Sequence, residues 1–171
     1  VDGASRPQAL MPSKLTQYPK SFMPDGKRLA YVDYGSGAEQ DRIWTVALEK
    51  EGGQWTVGTP EPFLKSSFAE QAPSFSPDGK WLAYDSDESG RTEVYVRAFP
   101  PPASGQGGKG QISNNGGTGA RWSRTAPEIV YRSGDQVMAV KYTIAGDRFV
   151  AEKPRVWIEK LGGTAWERAP D

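Results

Sequence analysis

The apolar positions of this chain fall in short runs, each broken by glycine, proline or a charged turn, and the runs repeat. "SFMPDGKRLAY" (residues 21–31) and "SFSPDGKWLAY" (residues 74–84) agree at nine of eleven positions and lie 53 residues apart. A third copy, "RWSRTAPEIVY" (residues 121–131), keeps the phase while its turn decays. Phe22, Phe75 and Trp122 anchor the three copies; Leu29, Leu82 and Ile129 follow seven residues later, and Tyr31, Tyr84 and Tyr131 nine later. A fourth copy begins at "TAWERAPD", with Arg168 at the anchor, so the anchor spacings are 53, 47 and 46. Equal phase at a period of about 40–50 residues marks propeller blades or a solenoid.

The pattern inside each repeat selects blades. "PSF" reads as a short strand and Pro-Asp-Gly as a tight turn, proline presetting φ and glycine accepting φ > 0. "KWLAYDS" is apolar on both faces, so that strand has to be covered on both sides, as in radially stacked sheets. "TEVYVRAF" is a third strand, matched by "RIWTVAL" and "QVMAVKY"; "GQISNN" is a fourth, matched by "EPFLK" and "PRVWI". Four antiparallel strands per repeat make a propeller blade. The fold class predicted is all-β: a partial β-propeller with blades over about 19–66, 72–115 and 119–160. Orphan strands are expected near 8–12, where Ala9 and Leu10 fall on a fourth strand, and near 164–169, around Trp166. The degraded third turn, Arg124-Thr125-Ala126, is expected to leave a four-stranded blade with no helix in 121–158. Three blades are fewer than the four to eight that close a ring.

Composition agrees and narrows the function. Glycine and proline number 20 and 14 of 171 residues, which suits turns more than long helices. Lys plus Arg balances Asp plus Glu at 21 each, so no bulk charge draws the chain to nucleic acid or to an anionic membrane surface. No apolar run approaches the ~18 residues of a membrane-spanning helix, so no membrane insertion is expected, and no signal peptide is visible. There is no cysteine and no histidine, which removes thiolate nucleophiles, the usual Ser-His-Asp triad and the commonest metal ligands.

With these residues in view, "PSFSPDGKWLAYDSDESGRTEVYVRAFP" (residues 73–100), with "GQISNNGGTGARWS" and "EIVYRSGDQVMAVKY", resembles the WD40-like repeats of TolB-type β-propellers. It is most similar to the C-terminal propeller repeats of bacterial TolB-related proteins, some of them fused to serine/threonine kinase domains. The resemblance runs from about Gln8 to Asp171. It implies a propeller fold and a periplasmic or extracytoplasmic setting. The implied roles are those of scaffolds, sensor regions and the gating domains of oligopeptidases; fold alone does not choose among them.

Asp85, Asp87 and Ser89, followed by Gly90, imitate the first half of a calcium loop, but position twelve would be Val96 in place of the bidentate glutamate. The segment therefore reads as a solvated hairpin tip, and no metal or cofactor is expected. Pro24, Asp25 and Gly26, and Pro77, Asp78 and Gly79, recur too regularly to be catalytic; each aspartate should cap its own turn. Trp44, Trp81 and Trp122 fall at core strand positions, whereas Trp55, Trp157 and Trp166 stand as candidates for a binding surface. "PPPASGQGGKG" (residues 100–110) reads as a surface connection.

The function expected from this reading is non-catalytic: a protein-interaction or assembly module. Both ends of a three-blade arc should present bare apolar faces, and two copies related by a two-fold axis would make six blades. A homodimer is the expected partner, with another protein or peptide as a further one. The rival expectations are a gating propeller fragment of a prolyl-oligopeptidase-like peptidase and the sensor region of a bacterial serine/threonine kinase. No Gly-x-Ser-x-Gly elbow occurs in the chain.

Overall fold

A computed structural model describes residue 11 and residues 16–35, 39–102 and 108–160. Among these residues there is no helix, and hence none long and apolar enough to cross a membrane. Fourteen strands form three antiparallel sheets, one for each repeat. Blade 1 contains β1 (Thr16–Phe22), β2 (Arg28–Tyr34), β3 (Arg42–Glu51), β4 (Gln54–Val57) and β5 (Glu61–Pro62). Blade 2 contains β6 (Glu70–Phe75), β7 (Trp81–Ser86), β8 (Glu93–Ala98) and β9 (Lys109–Gln111). Blade 3 contains β10 (Thr118–Trp122), β11 (Glu128–Ser133), β12 (Gln136–Ala145), β13 (Arg148–Ala151) and β14 (Arg155–Ile158). The chain is a partial β-propeller, and 121–158 holds strands and turns only.

The structure adds one device. In blades 1 and 3 the third strand overruns the blade and returns as a short hairpin strand, β4 and β13, before the fourth strand pairs further back along β3 and β12. In blade 2 the proline-rich connection stands in place of that hairpin, and the fourth strand ends at Gln111, short of the predicted segment. Ile112 and Ser113 leave the ladder there, both N–H groups turning to the Val94 carbonyl.

Period-two alternation makes each blade two-sided. Leu82 and Tyr84 of β7 point to blade 1, where they meet Ala30, Val32, Ile43 and Phe63. Trp81 and Ala83 point the other way and join Ala120, Trp122, Ile129 and Tyr131 of blade 3. The repeat tyrosines Tyr84 and Tyr131 thus face the preceding blade, and burial holds the phenols of Tyr31 and Tyr131 up at about 12. Each first strand carries a β-bulge, between Pro19 and Ser21, Gln71 and Ser74, and Thr118 and Arg121. In blades 2 and 3 the residue three before the anchor is left-handed there: Ala72 at φ 49° and Gly119 at φ 66°.

The turns are held by side chains. Asp25 Oδ1 accepts the Lys27 N–H at 2.9 Å, and Asp78 Oδ1 accepts the Lys80 N–H at 3.1 Å and the Ser76 hydroxyl at 2.6 Å. Gly26 and Gly79 adopt φ of 71° and 69°. In blade 3, where Pro-Asp-Gly is lost, the Ser123 hydroxyl accepts the N–H groups of Thr125 and Ala126 and holds the turn in its place.

Candidate interaction surface

The blade junctions are chemically specific. Burial pushes the carboxyl of Asp85 up to about 7, while the Gly119 N–H, Arg121 and Lys20 pull it down; the two Asp85 oxygens lie 2.9 and 3.1 Å from that N–H, across the blade 2–3 junction. Asp87 Oδ1 accepts the Ala69 N–H at 3.0 Å, and the exposed Ser89 hydroxyl donates to the Arg91 carbonyl. The three members of the calcium-like segment are therefore turned to three different backbone groups. Asp87 is half-buried and engaged, so the segment is not a free hairpin tip. At the blade 1–2 junction Glu70 is buried, its Oε1 accepting the Ser66 hydroxyl at 2.6 Å, and burial raises its carboxyl.

One backbone hydrogen bond recurs at both junctions. The N–H five residues before the anchor donates to the carbonyl just ahead of the preceding blade's third strand: Glu70 to Asp41 at 2.9 Å, and Gly117 to Thr92 at 3.1 Å. Around them aromatic side chains close each junction on the turn side. At blade 1–2, Phe75 and Phe99 meet edge to face at 4.9 Å, and the Arg28 guanidinium, paired with Glu61 at 3.4 Å, lies 5.8 Å from the Phe99 ring centre. At blade 2–3, Phe149 of the β13 hairpin wedges between Trp81 and Trp122, at 5.3 and 5.9 Å. Gly110 on the neighbouring fourth strand leaves room for it: a Cβ there would stand 3.3 Å from the ring, a tight contact.

The ends of the arc carry the same positions without their neighbours. Phe22 is 60% exposed, where its equivalents Phe75 and Trp122 are 7% and 8% exposed. Trp55, at the hairpin position of Phe149, is 46% exposed against 7%. At the far end Ile158 is 38% exposed, while its equivalents Phe63 and Ile112, each under the next blade, are 3% exposed. The faces are not bare throughout, however, as the sequence led us to expect. Leu29, Tyr31, Val46 and Leu48 are buried within the single chain, with Met11 packed on them, and so are Val130, Val137 and Ala139 at the other end. What stays open is the turn-side rim at Phe22 and Trp55, an open cleft of about 530 Å³ lined in part by Asp33, Arg42 and Trp44, and the β14 edge with Val156, Trp157 and Ile158. The orphan strands expected near 8–12 and 164–169, and Trp166 with them, lie outside the described residues apart from Met11.

Known structures place this architecture. A protein of Agrobacterium tumefaciens assigned as TolB superposes with a TM-score of 0.52 at 17% identity, over 84% of this chain and 52% of that one. TolB from Acinetobacter baumannii superposes with a TM-score of 0.53 at 22% identity, over 87% of this chain and 35% of that one. The fold is that of a TolB-like propeller. The chain spans about half of one TolB-like structure and about a third of the other. No protein-family model and no curated protein matches the sequence.

The sequence placed Phe75, Tyr84, Trp122 and Tyr131 at positions that the structure brings together between blades, with Trp81 among them. It did not single out Phe149, Gly110, Arg28 or Arg155. Their signal was available only once the third-strand hairpins set the register.

Proposed function

We propose that this chain is a non-catalytic TolB-like propeller module for protein assembly, and that two copies close a six-bladed ring. The observation that carries the reading is the paired exposure at the arc's ends. Phe22 is 60% exposed where a preceding blade covers its equivalents Phe75 and Trp122, and Ile158 is 38% exposed where a following blade covers its equivalents Phe63 and Ile112. One end is the donor half of the blade–blade contact and the other is the acceptor half. A two-fold axis along the ring would join each to its complement twice, leaving no end unpaired. Light scattering on the purified chain tests this. A mass of two chains at micromolar concentration is expected, and a mass of one chain throughout that range, with a cooperative melt, overturns the ring.

A further inference from the structure

Three residue positions form the side of each junction that carries the aromatic rings: the anchor, the third-strand residue at Leu48, Phe99 and Tyr142, and the hairpin residue at Trp55 and Phe149; two positions define what it rests on. The two are the residue six beyond the anchor, namely Arg28, Trp81 and Glu128, and the fourth-strand residue opposite Thr45, Val96 and Ala139, namely Glu61, Gly110 and Arg155. In blade 1 these hold the Arg28–Glu61 ion pair, whose guanidinium lies against the Phe99 ring of blade 2. In blade 3 the same two positions hold the Glu128–Arg155 ion pair, 2.6 Å between Arg155 Nη2 and Glu128 Oε1, with the two charges exchanged. Arg155 is half-exposed and no aromatic ring of this chain lies over it among the described cation–ring contacts. At the opposite end of the arc, Phe22 and Trp55 occupy the positions of Trp122 and Phe149 and are exposed among the described residues.

We infer that the Phe22–Trp55 rim of one copy seats on the Glu128–Arg155 ion pair of a second copy, with the Arg155 guanidinium against the Trp55 ring. This rests on the ring reading above and specifies its contact. The blade 1–2 junction already sets an ion pair under an aromatic ring; there the ring is Phe99, at the third-strand position that Leu48 holds in blade 1, and at the open end the hairpin ring of Trp55 takes that part. Tryptophan is the strongest cation–π acceptor and arginine its commonest donor. Trp55 already takes a cation, since Lys50 Nζ lies 5.6 Å from its ring centre, and nearly half of the residue's surface remains open. The backbone series extends in the same register: after Glu70 to Asp41 and Gly117 to Thr92, the next member runs from the Gln17 N–H of one copy to the Asp135 carbonyl of the other. Met11, Trp44 and Val57 pack on Leu29, Tyr31, Val46 and Leu48, and among the described residues Phe22 and Trp55 are not members of that cluster and stay 60% and 46% exposed.

The chain has no cysteine, so single cysteines report the contact cleanly. Trp55→Cys and Arg155→Cys are purified separately and then mixed under oxidising conditions, with the mass of each followed by light scattering. The expected result is a disulfide-linked pair in the mixture and none in either variant alone. In parallel, Trp55→Ala, whose melt reports that it folds, is expected to raise the dimer dissociation constant by roughly ten-fold. A two-chain mass with crosslinks in Trp55→Cys alone, or with none in the mixture, overturns this contact and leaves the ring reading standing. A one-chain mass for the unmodified chain overturns both.

Discussion

Asp85 is the residue whose protonation the fold controls most directly. Its carboxyl rests at about 7 in the folded chain, against ~3.9 in an unfolded one. The folded state therefore holds the proton more tightly. The stability this contributes is fully present below pH ~3.9 and is lost as pH rises through about 7. Asp85→Asn keeps an acceptor for the Gly119 N–H without a buried charge. Its melting temperature should exceed that of the parent by roughly 4 °C or more at pH 8, and the gap should shrink towards pH 4; thermal melts across that range check it. Ala72 poses a backbone question. A non-glycine at φ 49° carries ~1–2 kcal/mol of strain, partly offset by the lower entropy of an unfolded alanine. Ala72→Gly is thus expected to stabilise by about 0.5 kcal/mol in urea titrations. Leu82→Ala, wholly buried between blades, should cost ~2–5 kcal/mol. Asp87→Ala should cost about 1–2 kcal/mol by leaving the Ala69 N–H without its carboxylate. The aspartates of Pro-Asp-Gly were legible because they recur. Asp87's bond was not, because its donor lies 18 residues back in a loop without pattern.

At the scale of elements, blade count and phase were readable because a strand covered on both sides must be apolar on both faces, and few other settings demand that. The hairpins β4 and β13 escaped notice for a physical reason. "EKEGGQWT" is polar and glycine-rich, so it reads as an ordinary loop, and Phe149 packs against Gly110 about forty residues away. The two hairpins offer a direct comparison. Phe149→Ala should destabilise by ~3–5 kcal/mol, since the ring fills the space between Trp81 and Trp122. Trp55→Ala, at the equivalent position on an open end, should stay within ~0.5 kcal/mol in chemical denaturation at concentrations too dilute for association. Equal losses at the two sites would mean that the equivalence of the hairpins is misread.

For the whole molecule, association should make the melting temperature rise with protein concentration, because anything that binds only the folded chain stabilises it by mass action. The sequence pointed to open ends but not to where they are open. Burial of Leu29 and Tyr31 within one chain moves the exposed area outward to the rim, and that follows from packing no periodicity encodes. The junction bonds from Glu70 to Asp41 and from Gly117 to Thr92 run between main-chain atoms and are indifferent to the side chains that flank them. A propeller stitched in this way can vary the side chains at its junctions and still keep its blades in register. That tolerance fits a fold shared with TolB structures at 17–22% identity, and ion pairs whose charges are exchanged between blade 1 and blade 3.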